Sequence, residues 1–146
     1  MKFIIFTFIL FFGYNLFGQN LTCKDFKNGT FTNTSTESDG IELQIIRQGN
    51  SQIETITKMP QELLDLGYPV ESTYVIIKWL SECSYILTAD SSRGELSESS
   101  KLINDSGGIL TELVYIEGNC FNYKSIGTYQ GEEFISYGKL CKENEM

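Results

Sequence analysis

The side chains with the most chemistry open to them are four cysteines, Cys23, Cys83, Cys120 and Cys141, in a chain that contains no histidine. Without histidine the usual general base, proton shuttle and metal ligand are missing. No CxxC pair occurs, so two disulfides are expected rather than a zinc site, and cysteines held in disulfides supply no thiolate nucleophile. The chain also lacks GxSxG, a phosphate-cradling glycine loop and HExxH. Paired carboxylates can run glycoside hydrolysis, and Glu42 with Glu54 is the candidate pair. Both lie in strand-like segments, where an exposed, solubilising position accounts for them better. Asp90 and Asp105 lack the spacing of an EF-hand. The expectation is a protein that is not an enzyme and needs neither cofactor nor metal.

Binding is the remaining chemistry, and aromatic residues would carry it. Trp79, Tyr85, Phe121 and Tyr123 fall at inward-facing strand positions. In a barrel wide enough to be hollow they would line a cavity for a small apolar ligand. Small barrels are usually packed solid, so filling the core is the expected role and the cavity its rival. Arg47, next to a turn at Gln48-Gly49, could close a barrel mouth over Trp79 through a cation–π contact, although a surface position is expected.

Those aromatics are positioned by strands. Tyr74 to Leu87 reads as a central hairpin, with Val75, Ile77 and Trp79 in phase on one strand and Cys83, Tyr85 and Leu87 on the other. The polar pair Ser81-Glu82 is the expected turn. Upstream, Asn28-Gly29 starts a first strand near Thr30, and residues 33–40 read as a polar loop. Ile41, Leu43 and Ile45 alternate with polar residues as a half-buried strand does, and Ser51 to Lys58 returns beside it. A three-residue loop there pairs Ile45 with Ile53, whereas a two-residue loop pairs Ile46 with Ile53; the register stays open. Pro60 to Gly67 reads as a short helical flap. Asp90 to Gly108, rich in Ser, Gly and acidic residues, reads as a long mobile loop with a short strand around Lys101 to Ile103.

The last third is a three-stranded meander with turns at Gly118-Asn119 and Gln130-Gly131. Two-residue turns set Cys120 opposite Cys141, Phe121 opposite Leu140 and Ile126 opposite Ile135. They also set Ile116 opposite Phe121 and Val114 opposite Tyr123. One buried face then collects Val114, Ile116, Phe121, Tyr123, Phe134 and Leu140. Counted from the turn, Cys120 and Cys141 form a non-hydrogen-bonded pair, close enough for a disulfide. Cys23–Cys83 follows by elimination. The expected fold is all-β: an antiparallel meander of seven or eight strands, closed into an up-and-down barrel or strongly curled, with a β-sandwich as the alternative.

Met1-Lys2, the apolar run Phe3 to Phe12 and Gly18 read as a cleaved secretory signal over residues 1–18. That run is shorter than the roughly 20 residues a membrane helix needs. Residues 19–146 then form a single β domain in a secreted or periplasmic location, where disulfides persist. Lys2 leaves with the signal, so the remaining charge is 10 − 19 = −9. Such a chain is expected to bind neither nucleic acid nor an anionic membrane.

Three segments carry a family resemblance: Asp25-Phe26-Lys27-Asn28-Gly29-Thr30-Phe31, then Ile45-Ile46-Arg47 with Gln52-Ile53-Glu54, then Ile77-Lys78-Trp79 with Cys83, Tyr85 and Leu87. As DFKxGxF, IIR…QIE and IxWxxxCxYxL they resemble a group of small exported proteins of Bacteroidetes-type bacteria over residues 23–87. The resemblance implies export and a lipocalin-like β-architecture, and it implies no reaction. With a bacterial likeness, the Asn-X-Ser/Thr triplets at Asn20, Asn28, Asn33 and Asn104 are read as coincidence. The function expected is a non-catalytic exported barrel that binds a small apolar ligand. The alternative is a protein-binding module, such as an inhibitor of a basic periplasmic or extracellular enzyme, steered to it by charge.

Overall fold

The computed structural model describes residues 20–35, 40–68 and 70–143. The expected signal peptide, and most of the polar loop before Gly40, lie outside them. Eight strands form a closed antiparallel barrel in sequence order: β1 (Gly29–Ser35), β2 (Glu42–Gln48), β3 (Ser51–Lys58), β4 (Thr73–Trp79), β5 (Ser84–Ala89), β6 (Ile109–Glu117), β7 (Cys120–Tyr129) and β8 (Glu132–Lys142). Closure is made by β8 pairing with β1, Asn33 facing Leu140, so neither a sandwich nor an open sheet is formed. A closed barrel leaves no sheet edge to template pairing with other chains.

Three of the seven connections are two-residue turns. Gly49-Asn50 and Gly118-Asn119 carry a positive φ on the leading glycine, and Gln130-Gly131 carries it on both residues. These mirror-image turns match the twist of the strands they join, which is why glycine sits at each. The first turn closes the register left open by the sequence: Ile46 faces Ile53. The last turn sets Cys120 opposite Cys141, and the two are disulfide-bonded with α-carbons 4.0 Å apart. Cys23–Cys83 is the second bridge, spanning 60 residues.

Four expectations are corrected. Val114 does not face Tyr123: a bulge between Leu113 and Tyr115 inserts one residue, so Leu113 takes that place and Val114 is 55% exposed. The central hairpin does not turn tightly at Ser81-Glu82, because β4 ends at Trp79 and β5 starts only at Ser84. There the Leu80 and Ser81 amides both donate to the Ser84 carbonyl. The expected loop with a strand at Lys101 to Ile103 instead contains a helix, α2 (Glu98–Asp105), following the short α1 (Gln61–Asp65) in the Pro60 flap. The Ser97 side chain caps α2 by accepting from the Ser100 amide, the usual role of serine before a first turn. Finally, Arg47 is not on the surface but 4% exposed inside the barrel.

Candidate ligand-binding mouth

The barrel is asymmetric along its axis, and the asymmetry begins at its N-terminus. Residues Cys23–Phe26 form one 3-10 turn, held as the Thr22 amide and hydroxyl both donate to Asp25 Oδ2 at 2.7 and 3.0 Å. Those bonds hold the Asp25 carboxyl below its usual range. Pinned by Cys23–Cys83, the turn inserts Phe26 into one end of the barrel. There Phe26 stacks on Phe31 with ring centres 5.8 Å apart and meets Phe121 at 5.3 Å. Ile45, Ile77, Tyr85 and Leu140 complete this buried cluster, with Trp79 packed against it. This end is plugged.

Arg47 caps the plug from within. Its Nε donates to Gln52 Oε1 (2.6 Å), Nη1 to the Phe26 carbonyl (2.9 Å) and Nη2 to the Tyr85 hydroxyl (2.6 Å). The guanidinium also lies over the Tyr85 ring at 4.6 Å and near the Phe31 and Trp79 rings at 5.8 Å. Among the described residues every acceptor of this buried cation is neutral, so its charge is spread over dipoles and π faces rather than cancelled by a carboxylate. The nearest acid in the network is one residue removed: Gln52 Nε2 donates to Glu54 Oε1 at 2.6 Å. Arg47, Gln52 and Glu54 thus form a polar rail running inward-facing along β2 and β3, away from the plug.

The rail ends in a cavity. At the opposite end a mouth of about 670 Å³ is lined inside the barrel by Leu43, Glu54, Ile56, Thr73 and Ala89, and around its rim by Tyr68, residues 71–74 and residues of the segment 90–100. Tyr68, Tyr74 and Leu96 add apolar surface there. Burial pushes the Glu54 carboxyl above the usual carboxylate range, while the Gln52 bond and the Arg47 charge pull it the other way. Asp90 is fastened by the Ser92 amide and hydroxyl at 3.0 and 2.6 Å, which hold its carboxyl below the usual range. Arg93 stands 3.9 Å from Asp90 Oδ2 and lies over the Tyr74 ring at 5.3 Å.

The sequence-derived candidates are placed elsewhere. Trp79 and Tyr85 meet edge to face at 4.9 Å, and Phe121 belongs to the plug; none of the three lines the mouth. Tyr123 points inward lower in the barrel and donates to Asn33 Oδ1 at 2.8 Å; burial raises its hydroxyl pKa to about 12. It contributes instead to a crevice of about 330 Å³ with Tyr115, Asn122 and Tyr137. The carboxylate pair is not a pair. Glu42 bonds Lys58 at 2.8 Å on the outer face, while Glu54 lies on the inner one, where it was expected to be exposed. Glu54 and Arg47 are both sequence candidates for which a surface position is expected, and Arg47 does lie over Trp79 as its alternative reading has it. The signal for the inner face is that residues 43, 45 and 47 share one phase, as do 52, 54 and 56. Among the described residues no group of three or more metal-ligating side chains is clustered, and no helix is long and apolar enough to cross a membrane.

Comparisons with family models, with curated proteins and with solved structures return no match for the chain.

Proposed function

We propose that the protein is an exported, non-catalytic binding module that takes a small, partly apolar molecule into the open mouth of its barrel. One observation carries this reading: the barrel is plugged at one end by Phe26, Phe31 and Phe121, yet open at the other in a cavity of about 670 Å³. That volume lies within the roughly 300–1,000 Å³ of small-molecule sites. Strand-built walls of β2 to β5 give the mouth a fixed inner lining, which lowers the ordering cost of binding. Export rests on the expected signal over residues 1–18 and on the disulfides, which suit an oxidising compartment.

Native mass spectrometry of protein purified from its own host tests the reading. A copurifying small molecule, lost when Ile56→Trp fills the mouth, is the expected result. A clean mass, together with no binding of aliphatic or aromatic probes to folded protein, would overturn it. Capture of a basic protein instead, weakening steeply with ionic strength, would favour the charge-steered alternative.

A further inference from the structure

Resting on that reading, we infer that the ligand is a cationic amphiphile, an amine with an apolar tail, whose charged head seats against Glu54. The cavity lining holds four carboxylates, Glu54, Glu71, Asp90 and Glu95, against one cation, Arg93. The outer charges pair off: Asp90 stands against Arg93, and Glu95 lies 3.6 Å from Lys101. Among the described residues, Glu54 and Glu71 have no cation within ion-pair distance. Glu54 is the deeper of the two, on β3 between Ile45 and Thr73.

Its hydrogen bonding leaves a place for a donor. The one hydrogen bond to the Glu54 carboxyl group among the described residues comes from Gln52 and reaches Oε1, which leaves Oε2 without a protein donor in a residue that lines the cavity. An ammonium has three donors and no acceptor, so it fits Oε2 and favours the ionised form that burial opposes, whereas a fatty acid would set like charge against that form. Leu43, Ile56 and Leu96 supply apolar wall for a tail, and the Tyr74 face already carries one cation, Arg93. The acidic rim would also raise the local concentration of a cation before it enters.

The probes are dodecylamine, dodecanol and dodecanoic acid, each below its aggregation threshold, titrated calorimetrically into the full mature chain at neutral pH and low salt. The amine is expected to bind at least tenfold tighter than the alcohol, and the acid more weakly than the alcohol. Glu54→Gln keeps an oxygen for the Gln52 bond and is expected to bring the amine down to the alcohol's affinity. Glu71→Gln, at the rim, should cost the amine only a few-fold. Equal affinity of amine and alcohol for the wild type would overturn the inference and leave the binding-module reading standing. So would a preference that survives in folded E54Q. Should E54Q fail to fold, the wild-type ranking of the three probes decides. Binding of none of them to folded protein would overturn both readings.

Discussion

The Arg47 guanidinium and the Tyr85 hydroxyl, 2.6 Å apart, join β2 to β5, two strands that are not neighbours in the sheet. The bond therefore crosses the barrel interior. Tyr85→Phe removes the acceptor and leaves a charged N–H of the buried Arg47 without it. Urea unfolding is expected to show a loss of about 1–3 kcal/mol, the usual cost of an unsatisfied buried donor. Arg47→Met on its own strands Gln52 Oε1, the Phe26 carbonyl and the Tyr85 hydroxyl together. The double variant should lose less than the sum of the singles, because the two share one interaction. Strict additivity would show that the bond contributes nothing to stability.

Glu54 gives the fold an inverted pH response. Burial raises its carboxyl pKa in the native state, so between the unfolded and native values the native state holds the extra proton. Stability then falls as pH rises through that window, opposite to the trend of a salt-bridged carboxylate. The charged group that bears on it is Arg47, which lowers the pKa, as the Gln52 hydrogen bond also does. Asp25 and Asp90 have lowered values and act in the other sense, gaining stability as pH rises through the acid range. Thermal unfolding of wild type against Glu54→Gln at successive pH values from 4 to 8 isolates the effect. The variant is expected to gain on the wild type as pH rises, and a constant difference would refute the assignment.

The two disulfides should differ in what they protect. In the chain-entropy account, closing 60 residues is worth about 4 kcal/mol and closing 21 residues about 3 kcal/mol. The larger difference is structural: Cys23–Cys83 holds the 3-10 turn that inserts Phe26, whereas Cys120–Cys141 ties two strands already paired over ten residue pairs. Replacing both Cys23 and Cys83 by Ala is expected to lower the urea midpoint more than replacing Cys120 and Cys141. It should also bring binding of a hydrophobic dye to the uncovered Phe31 and Phe121. Equal midpoints and no dye binding would mean that the plug stays seated without its staple.

How far the sequence foretold this molecule depends on how local each signal is. The C-terminal meander was legible because two turn signals and one hydrophobic alternation agree, and they fix Cys120 against Cys141. Val114 failed because a bulge leaves no mark in an apolar run: Leu113, Val114 and Tyr115 suit either register. Arg47 failed for a different reason. Its phase pointed inward, but charge type argued for the surface, and only the combination of Gln52, the Phe26 carbonyl and the Tyr85 hydroxyl makes burial tolerable. Those partners come from three separate parts of the chain. The mouth was illegible on the same ground, since Tyr68, residues 71–74 and residues of the segment 90–100 meet only once the barrel has closed.

The helix hidden in the Ser-rich segment is anchored by a side chain that imitates a strand. Asn104 accepts from the Ala89 amide through Oδ1 and donates to the Ala89 carbonyl through Nδ2, both at 2.9 Å, as a neighbouring backbone would. The Ser106 hydroxyl adds a bond to the Thr128 carbonyl at 3.0 Å, tying the end of α2 to β7. Ala89 lines the mouth, and so do residues 94–97, just ahead of the helix. Asn104→Ala should therefore free the end of β5 and loosen one wall of the cavity while the plugged end stays intact. Amide exchange at Ala89 is expected to speed up by at least tenfold, with exchange at Ile45 and Phe121 unchanged. Asn104→Asp keeps the acceptor for the Ala89 amide but sets an anion against the Ala89 carbonyl, so it should rescue little. Protection at Ala89 that survives both substitutions would show that α2 is held in place by packing alone.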